Sequence, residues 1–287
     1  MVVSLPRDLV IPHPECVDPE TGDRFDSMGA QPLNVAYGRG GLACVAATIS
    51  ALTGLPIQYA AASSFNGVIA LTDAVGGVEV CVTEPMVDAD SGVNLPAGRT
   101  TVAGQTALAF LRNRHGIGNG SDLSRIGGQQ QYLSSLLRTI RSDSTLSDPA
   151  KLYALAQAAG HNIIPSTSLG SADTMVSLAL TLKDVDLSSI VFVQYPVTAY
   201  VEDTNKVQPA FALAEELFTR ILADEPVVLP DDSTASGTTL ATPAPSSPEN
   251  AGPAMTEAPS ATAGPAAIQG LTGQRADQET CASAFSG

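Results

Sequence analysis

Positive charge is what this chain has least of. Its 287 residues carry 14 Lys+Arg against 29 Asp+Glu, a formal net charge of -15. A nucleic-acid partner needs a broad basic face on the protein, so that class is excluded, as is simple adsorption on anionic lipid. No uninterrupted apolar run reaches the length of a membrane span, so no transmembrane helix is predicted. A secretory leader is also missing. Met1 is followed at once by Val-Val-Ser-Leu-Pro-Arg-Asp, which reads as the middle of a domain, and further natural sequence upstream of Met1 is expected. Cys16, Cys44, Cys81 and Cys281 form no CxxC pair and have no histidine nearby in a zinc pattern. An even number of cysteines suits disulfides in an exported protein and equally suits buried free thiols, and both remain open. Large apolar side chains are nearly absent from 230–267, where Ala, Pro, Ser, Thr and Gly cannot bury enough surface to order themselves. A flexible linker is therefore predicted over 226–267. The tail, 268–287, either docks by a strand or through Cys281, or stays mobile.

The remaining residues, 1–225, have the apolar content of a globular domain, the whole chain being 44% hydrophobic. Strands are predicted at 1–5 and 10–12, at Ile57–Ala62, Val78–Val82 and Ser189–Val193, and near Tyr200-Val201. Residues 93–96 and 98–102 read as an extended pair. Helices are predicted for Asn34–Gly38, Ala43–Leu52, Phe65–Ala74, Asp148–Ala159, Ser171–Leu182 and Phe211–Leu222. Residues 13–32, with three prolines and two glycines, read as a long exposed loop, and His13 as a loop histidine without a chemical role. Asp88-Ala-Asp-Ser-Gly92 resembles a calcium loop but lacks the later bidentate glutamate, so no metal is assigned to it. Strands alternating with helices predict an α/β sandwich with a mixed sheet.

The stretch from Ala107 to Tyr132 gathers scarce cations around one glycine-rich loop. Leu108 and Leu111 suit the buried stripe of a helix ending near Arg112. Ser121 or Asp122 then caps a second helix, with Ile126, Leu133, Leu136, Leu137 and Ile140 on its apolar side. Gly116, Gly118 and Gly120 let the link turn tightly. Arg112 and Arg114 leave the first helix, and Arg125 and Gln129 share a face near the start of the second. With Arg7 held at the end of the first strand, these groups and the helix N-terminus suit the oxygens of a di-anionic ligand. The bland alternative is surface ion pairing with the many acids.

Ser4-Leu-Pro-Arg-Asp8, Asn34-Val-Ala-Tyr-Gly38, Gly54-Leu-Pro-Ile-Gln-Tyr59, Ala74-Val-Gly-Gly-Val78, Leu95-Pro-Ala-Gly98, Gly104-Gln-Thr-Ala-Leu108 and Arg112-Asn-Arg114, in this order, resemble the LytR-CpsA-Psr family. The likeness covers about 1–143 and, more loosely, 187–223. The linker and Cys-bearing tail look actinobacterial. The resemblance implies an extracytoplasmic α/β/α sandwich with a central mixed sheet, tethered by an N-terminal transmembrane helix. It implies a phosphotransferase that moves a glycopolymer from a polyprenyl-pyrophosphate carrier to peptidoglycan or another wall acceptor, with magnesium on the pyrophosphate and pyrophosphatase activity in some members. On the family's pattern Arg7, Arg112 and Arg114 hold the pyrophosphate, completed by Arg125 and Gln129. Asp8 and Asp122 orient arginines or assist deprotonation of the attacking hydroxyl.

Two departures stand out. Gly128 occupies a position that is usually arginine in the family. The family's magnesium-binding aspartates precede the Ser-Leu-Pro-Arg-Asp motif, where this chain begins. A non-catalytic wall-glycan or polyprenyl-phosphate binding module, or a truncated enzyme, is therefore the alternative function. A disulfide-stapled acidic scaffold with structural arginines is the third. Aliphatic residues at Val45–Leu52 and Val68–Leu71 would line a prenyl groove or belong to the ordinary core.

Overall fold

The computed structural model describes residues 1–142, 148–183, 185–241 and 266–285. After β1 (Val2–Ser4) the chain turns at Pro6–Asp8 and resumes as β2 (Val10–His13). Residues 13–32 are not a loop. β3 (Cys16–Val17) and β4 (Arg24–Phe25) pair inside a longer hairpin that β2 makes with β5 (Met28–Pro32). A Cys16–Cys44 disulfide fastens this hairpin to the next helix. His13 lies buried within it. The prolines that suggested a loop fall at turns and edges, where a missing N–H is tolerated.

α1 (Asn34–Thr53) contains both predicted helices, joined through non-helical Gly40 and Gly41, and Gly54 closes it in the left-handed conformation at φ 72°. By length and composition it is apolar enough to cross a membrane, with mean hydropathy 1.3. It is nevertheless broken at the two glycines and bound to β3 by the disulfide, and Ile49 and Leu52 pack in a core of the domain. β6 (Ala61–Ser63) keeps only the end of the strand predicted at 57–62. Then come α2 (Phe65–Ala74), capped by the Ser64 hydroxyl, and β7 (Val78–Val82). β8 (Met86–Asp88) pairs with β9 (Val93–Leu95), while β10 (Gly98–Val102) runs antiparallel to β7. The predicted pairing of 93–96 with 98–102 is thus replaced by two separate ones.

α3 (Gly104–Arg112) and α4 (Asp122–Arg141) flank the glycine-rich loop, with Ser121 as the cap of α4. They are followed by α5 (Pro149–Asn162), β11 (Ile163–Pro165), which pairs with β6, and α6 (Ala172–Lys183). β12 (Val191–Gln194) runs parallel to β1, and β13 (Val197–Ala199) forms a hairpin with β14 (Val207–Pro209) before α7 (Phe211–Leu222). The strand expected near Tyr200 lies a few residues earlier.

From 226 onward the composition misleads. β15 (Thr238–Leu240), β16 (Gly273–Arg275) and β17 (Thr280–Ala282) complete two mixed sheets, ordered β1-β12-β16 and β10-β7-β17-β15. The predicted linker therefore does not begin at 226. Its first part is packed, with Ser233, Ala235 and Thr238 buried. Small side chains order here because main-chain hydrogen bonds and close backbone approach replace bulky apolar contacts. The tail docks both by strands and through a Cys81–Cys281 disulfide. Residues 242–265 of the predicted linker lie outside the described residues.

Alternation along β12 shows the layering. Val191 and Val193 face a core shared with Ile49 and Leu52 of α1 and Leu217 and Phe218 of α7. Gln194 faces the other way and donates to the Leu123 carbonyl at the start of α4. Helices thus cover both faces of the sheet, the α/β/α arrangement expected. Leu133, expected in the core, is exposed on α4, whose buried face is instead rich in Gly, Ser and Gln.

Candidate phosphate-binding site

Arg7 stands on a turn fixed from both sides. The Leu9 N–H donates to the Pro6 carbonyl at 3.2 Å, and the Asn34 N–H donates to the Arg7 carbonyl at 3.0 Å. Leu9 is fully buried and bridges to Val207. The turn therefore cannot swing without uncovering a core residue, and the Arg7 side chain projects from a rigid base. Its Nε lies 3.4 Å from the Asp8 carboxylate.

The Arg114 turn is held by Asn113, which is buried. Its side-chain amide donates to the Met86 sulfur at 2.9 Å, and its side-chain oxygen accepts the Gly116 N–H at 2.9 Å. No local pattern singles out Asn113, because its role is to hold the backbone between two arginines. Arg114 Nε is buried without a hydrogen-bond partner. On α4, Asp122 and Arg125 form a largely buried ion pair. Both Asp122 oxygens and Arg125 Nε nevertheless lack a hydrogen-bond partner, so the charges are close without donor–acceptor alignment.

Electrostatics join these groups. Burial works most strongly against the Arg125 charge; Asp122 supports it, Arg7 and Arg114 oppose it, Asp8 supports it, and the balance lies below the ordinary guanidinium pKa. Three guanidinium groups and two carboxylates thus share one region at a helix N-terminus. Buried guanidinium N–H groups without acceptors there are suited to an anion that brings oxygen acceptors.

Other predicted site residues are placed differently. The Arg112 guanidinium lies 5.1 Å from the ring centroid of Phe65, on α2. Gln129 donates its amide to the Leu111 carbonyl at 3.1 Å, tying α4 to the end of α3. Gly128 points into the core, since a Cβ there would sit 2.9 Å from Ile117 Cδ1 and 3.9 Å from the Phe110 ring. A cation at 128 would therefore start from the Ile117 side.

Magnesium requires hard oxygen donors and usually takes one or two carboxylates plus substrate phosphates. The arginine region offers Asp8 and Asp122, both beside arginines. Among the described residues the only group of three potential ligands is Asp88, Asp90 and His115, whose donor atoms lie within 4.8 Å of one another. There His115 Nδ1 is 3.0 Å from Asp90, and Asp88 accepts the Asp90 N–H at 3.0 Å, so turn bonds and an imidazole–carboxylate contact account for the group. The donor set does not form a protein-built magnesium site.

Comparison with known proteins agrees with this architecture. The chain is 39% identical over 151 residues to the cell wall biosynthesis protein LcpA of Corynebacterium glutamicum, covering 53% of this chain and 28% of that protein. It is 30% identical over 155 residues to the polyisoprenyl-teichoic acid–peptidoglycan teichoic acid transferase TagU of Bacillus cereus, covering 54% and 46%. The chain spans less than half the length of both relatives. A LytR-Csp2A-Psr enzyme from Actinomyces oris has the same fold, with TM-score 0.60 and 23% identity over 76% of this chain and 78% of that one. The LytR_cpsA_psr family model matches residues 1–221, and the chain belongs to that family.

Proposed function

We propose that this chain carries the phosphate-holding site of a cell-wall glycopolymer phosphotransferase. The observation that carries it is that Arg114 and Arg125 each bury a guanidinium Nε without an acceptor, with Arg7 near enough to act on the Arg125 charge, in a protein with net charge -15. Its relatives are named for wall biosynthesis and for teichoic acid transfer from a polyisoprenyl carrier to peptidoglycan. By analogy the donor is a polyprenyl-pyrophosphate-linked glycan, and the acceptor is peptidoglycan or another wall polysaccharide. Two disulfides suit an extracytoplasmic location at the membrane or wall.

In the reaction an acceptor hydroxyl attacks the phosphorus that bears the sugar, and the bond to the bridging oxygen breaks. The polyprenyl monophosphate departs with the bond's electron pair, and the hydroxyl proton goes to a base. Guanidinium groups fixed beforehand stabilise the charge that develops on the leaving phosphate. Arg114 and Arg125 supply this from the loop and helix, and Arg7 from the strand end. Asp122 and Asp8 keep Arg125 and Arg7 in place, with Asp8, the less buried of the two relative to its surroundings, available as the base.

A cavity of about 750 Å³ suits the prenyl chain. Its walls include Val3 and Leu5 of the strand leading to Arg7, Ile49 of α1, and Phe218 and Ile221 of α7. Of the two aliphatic segments proposed for a groove, the first thus contributes Ile49.

The test is calorimetric binding of geranyl pyrophosphate, with and without magnesium, followed by transfer of labelled glycan phosphate from a polyprenyl carrier. Arg114→Ala and Arg125→Ala are each expected to weaken binding at least tenfold. Unchanged affinity in both variants ends this assignment. Binding without transfer by the intact chain supports the binding-module alternative.

A further inference from the structure

The C-terminal segment lies beyond the residues matched by the family model, yet it is built into the frame of the arginine loop. Gly118 donates its N–H to the Ser283 carbonyl at 2.8 Å, and Phe285 donates to the Gly116 carbonyl at 3.1 Å. Ile117 and Ala284 form the antiparallel bridge between these bonds. On its other side Ser283 donates to the Gly237 carbonyl at 2.9 Å. The Phe285 ring covers Gly120, where an added Cβ would sit 3.4 Å from it. The loop thus supported runs between Arg114 and Asp122. Gly118 and Gly120 have φ of 54° and 76°, a backbone that glycine adopts readily and also leaves readily.

The support is itself strand-paired, β17 with β15 over three residues and β16 with β12 over three, and Thr83 donates its N–H to the Ala282 carbonyl at 2.9 Å. β17 meets β7 through a single register pair, Ala282 with Val82. Beside it stand the Cys81–Cys281 disulfide and the Gln131 side chain, which donates to the carbonyls of Cys81 at 2.7 Å and Thr280 at 2.5 Å. The disulfide closes a connection 200 residues apart in sequence, so it strongly restricts where the tail can be.

We propose that Ser283–Phe285 are positioning residues for the arginine site, and that the Cys81–Cys281 disulfide makes their action dependent on oxidation. This rests on the anion-binding reading of Arg7, Arg114 and Arg125. The main-chain bonds of the tail hold the loop so that Arg114 and the Asp122–Arg125 turn face one ligand. A dithiol reductant cleaves the sulfur–sulfur bond by thiolate attack, giving two protein thiols and the cyclic disulfide of the reductant. The reductant supplies two electrons and two protons, and the tail loses its covalent tie.

The experiment uses the full chain, a chain ending at Ala282, and a Cys16→Ser/Cys44→Ser double variant. Inorganic pyrophosphate binding is measured by calorimetry before and after dithiothreitol, with thermal melts and amide exchange at Gly118 as parallel readouts. The chain ending at Ala282 keeps its disulfide and is expected to bind at least tenfold more weakly, with its melting temperature within a few degrees of the full chain. Dithiothreitol is expected to weaken the full chain and the double variant alike, and to expose the Gly118 amide to exchange. Equal affinity in the shortened chain, or an affinity loss that only accompanies global destabilisation, overturns the proposal. If the oxidised full chain binds no pyrophosphate while Gly118 protection still depends on the tail, the ligand reading fails and the positioning of the loop stands. If Gly118 protection is unchanged, the positioning fails whatever the affinity.

Discussion

Asp122 and Arg125 face each other across the first turn of α4 with only 10% and 17% of their side chains exposed. Desolvation makes such a pair costly to form and more costly to break on one side, because the remaining charge keeps its burial and loses its counterion. Asp122→Asn is therefore expected to destabilise the fold by on the order of 3 kcal/mol. Replacing both residues, Asp122→Asn with Arg125→Met, is expected to cost less than the two single changes added together. Urea unfolding of the four proteins checks this, and strict additivity would count against an energetic pair.

Arg112 poses a different question, since its guanidinium plane rests on an exposed phenyl ring rather than on a carboxylate. A stack at an exposed site is worth about 0.5–1 kcal/mol. If Phe65 holds Arg112 ready at the rim, Phe65→Ala and Arg112→Ala each weaken geranyl pyrophosphate binding severalfold. The double variant is then no weaker than Arg112→Ala alone. Independent, multiplying effects would show that the stack does not serve the ligand.

The pattern of success along the chain follows from what each signal reports. Phe65–Ala74 and Phe211–Leu222 are predicted at the observed boundaries because apolar spacing acts locally. Arg114 and Arg125 could be singled out because cations are rare here and glycines stand close by, and Arg7 because it ends the first strand. The fate of Arg112 was not legible, since it depends on Phe65, which is brought over by α2 packing against α3. Gln130 and Gln131 are buried, one donating to Ser4 and the other to main-chain carbonyls of β7 and β17. Such contacts join residues 50 to 149 positions apart, and no local pattern carries them. The ordered first part of the predicted linker, 226–241, was missed for the same reason: its composition is that of a linker, and its order comes from its partners.

His13 gives the hairpin a pH dependence. Its ring is buried, with Nε2 3.2 Å from the Gln31 carbonyl and Nδ1 without a partner. Donation from Nε2 fits the neutral ring, and a second proton would sit on the unpartnered nitrogen. Burial lowers its pKa, the Gln31 bond works against that, and the nearby Arg39 charge adds to the lowering. The unfolded chain therefore takes up its proton first as pH falls. The contribution to stability is complete above the unfolded value of about 6.5 and is lost as pH falls from there toward the lower folded value. Thermal melts between pH 7.5 and 5 should show this decline, and His13→Gln should flatten it. An equal slope in the variant would assign the dependence elsewhere.

Two glycine-to-alanine changes in helices should have opposite signs. Alanine stabilises a helix interior by about 1 kcal/mol relative to glycine when nothing obstructs it. Gly38, in α1, has nothing within 4 Å of an added Cβ, so Gly38→Ala should raise the unfolding midpoint. Gly127, in α4, would place its Cβ 1.9 Å from the main-chain oxygen of Ser236. Main-chain atoms cannot turn aside as a flexible side chain can, so either α4 or the 233–237 segment must move. The cost of such overpacking is about 1–3 kcal/mol, enough to exceed the helix-propensity gain. Gly127→Ala should therefore lower the midpoint and loosen the segment that Gln194 holds through Ser236, detectable as faster amide exchange at Ser236. A stabilised Gly127→Ala protein with unchanged exchange would mean that the backbone of 233–237 is not pressed against α4.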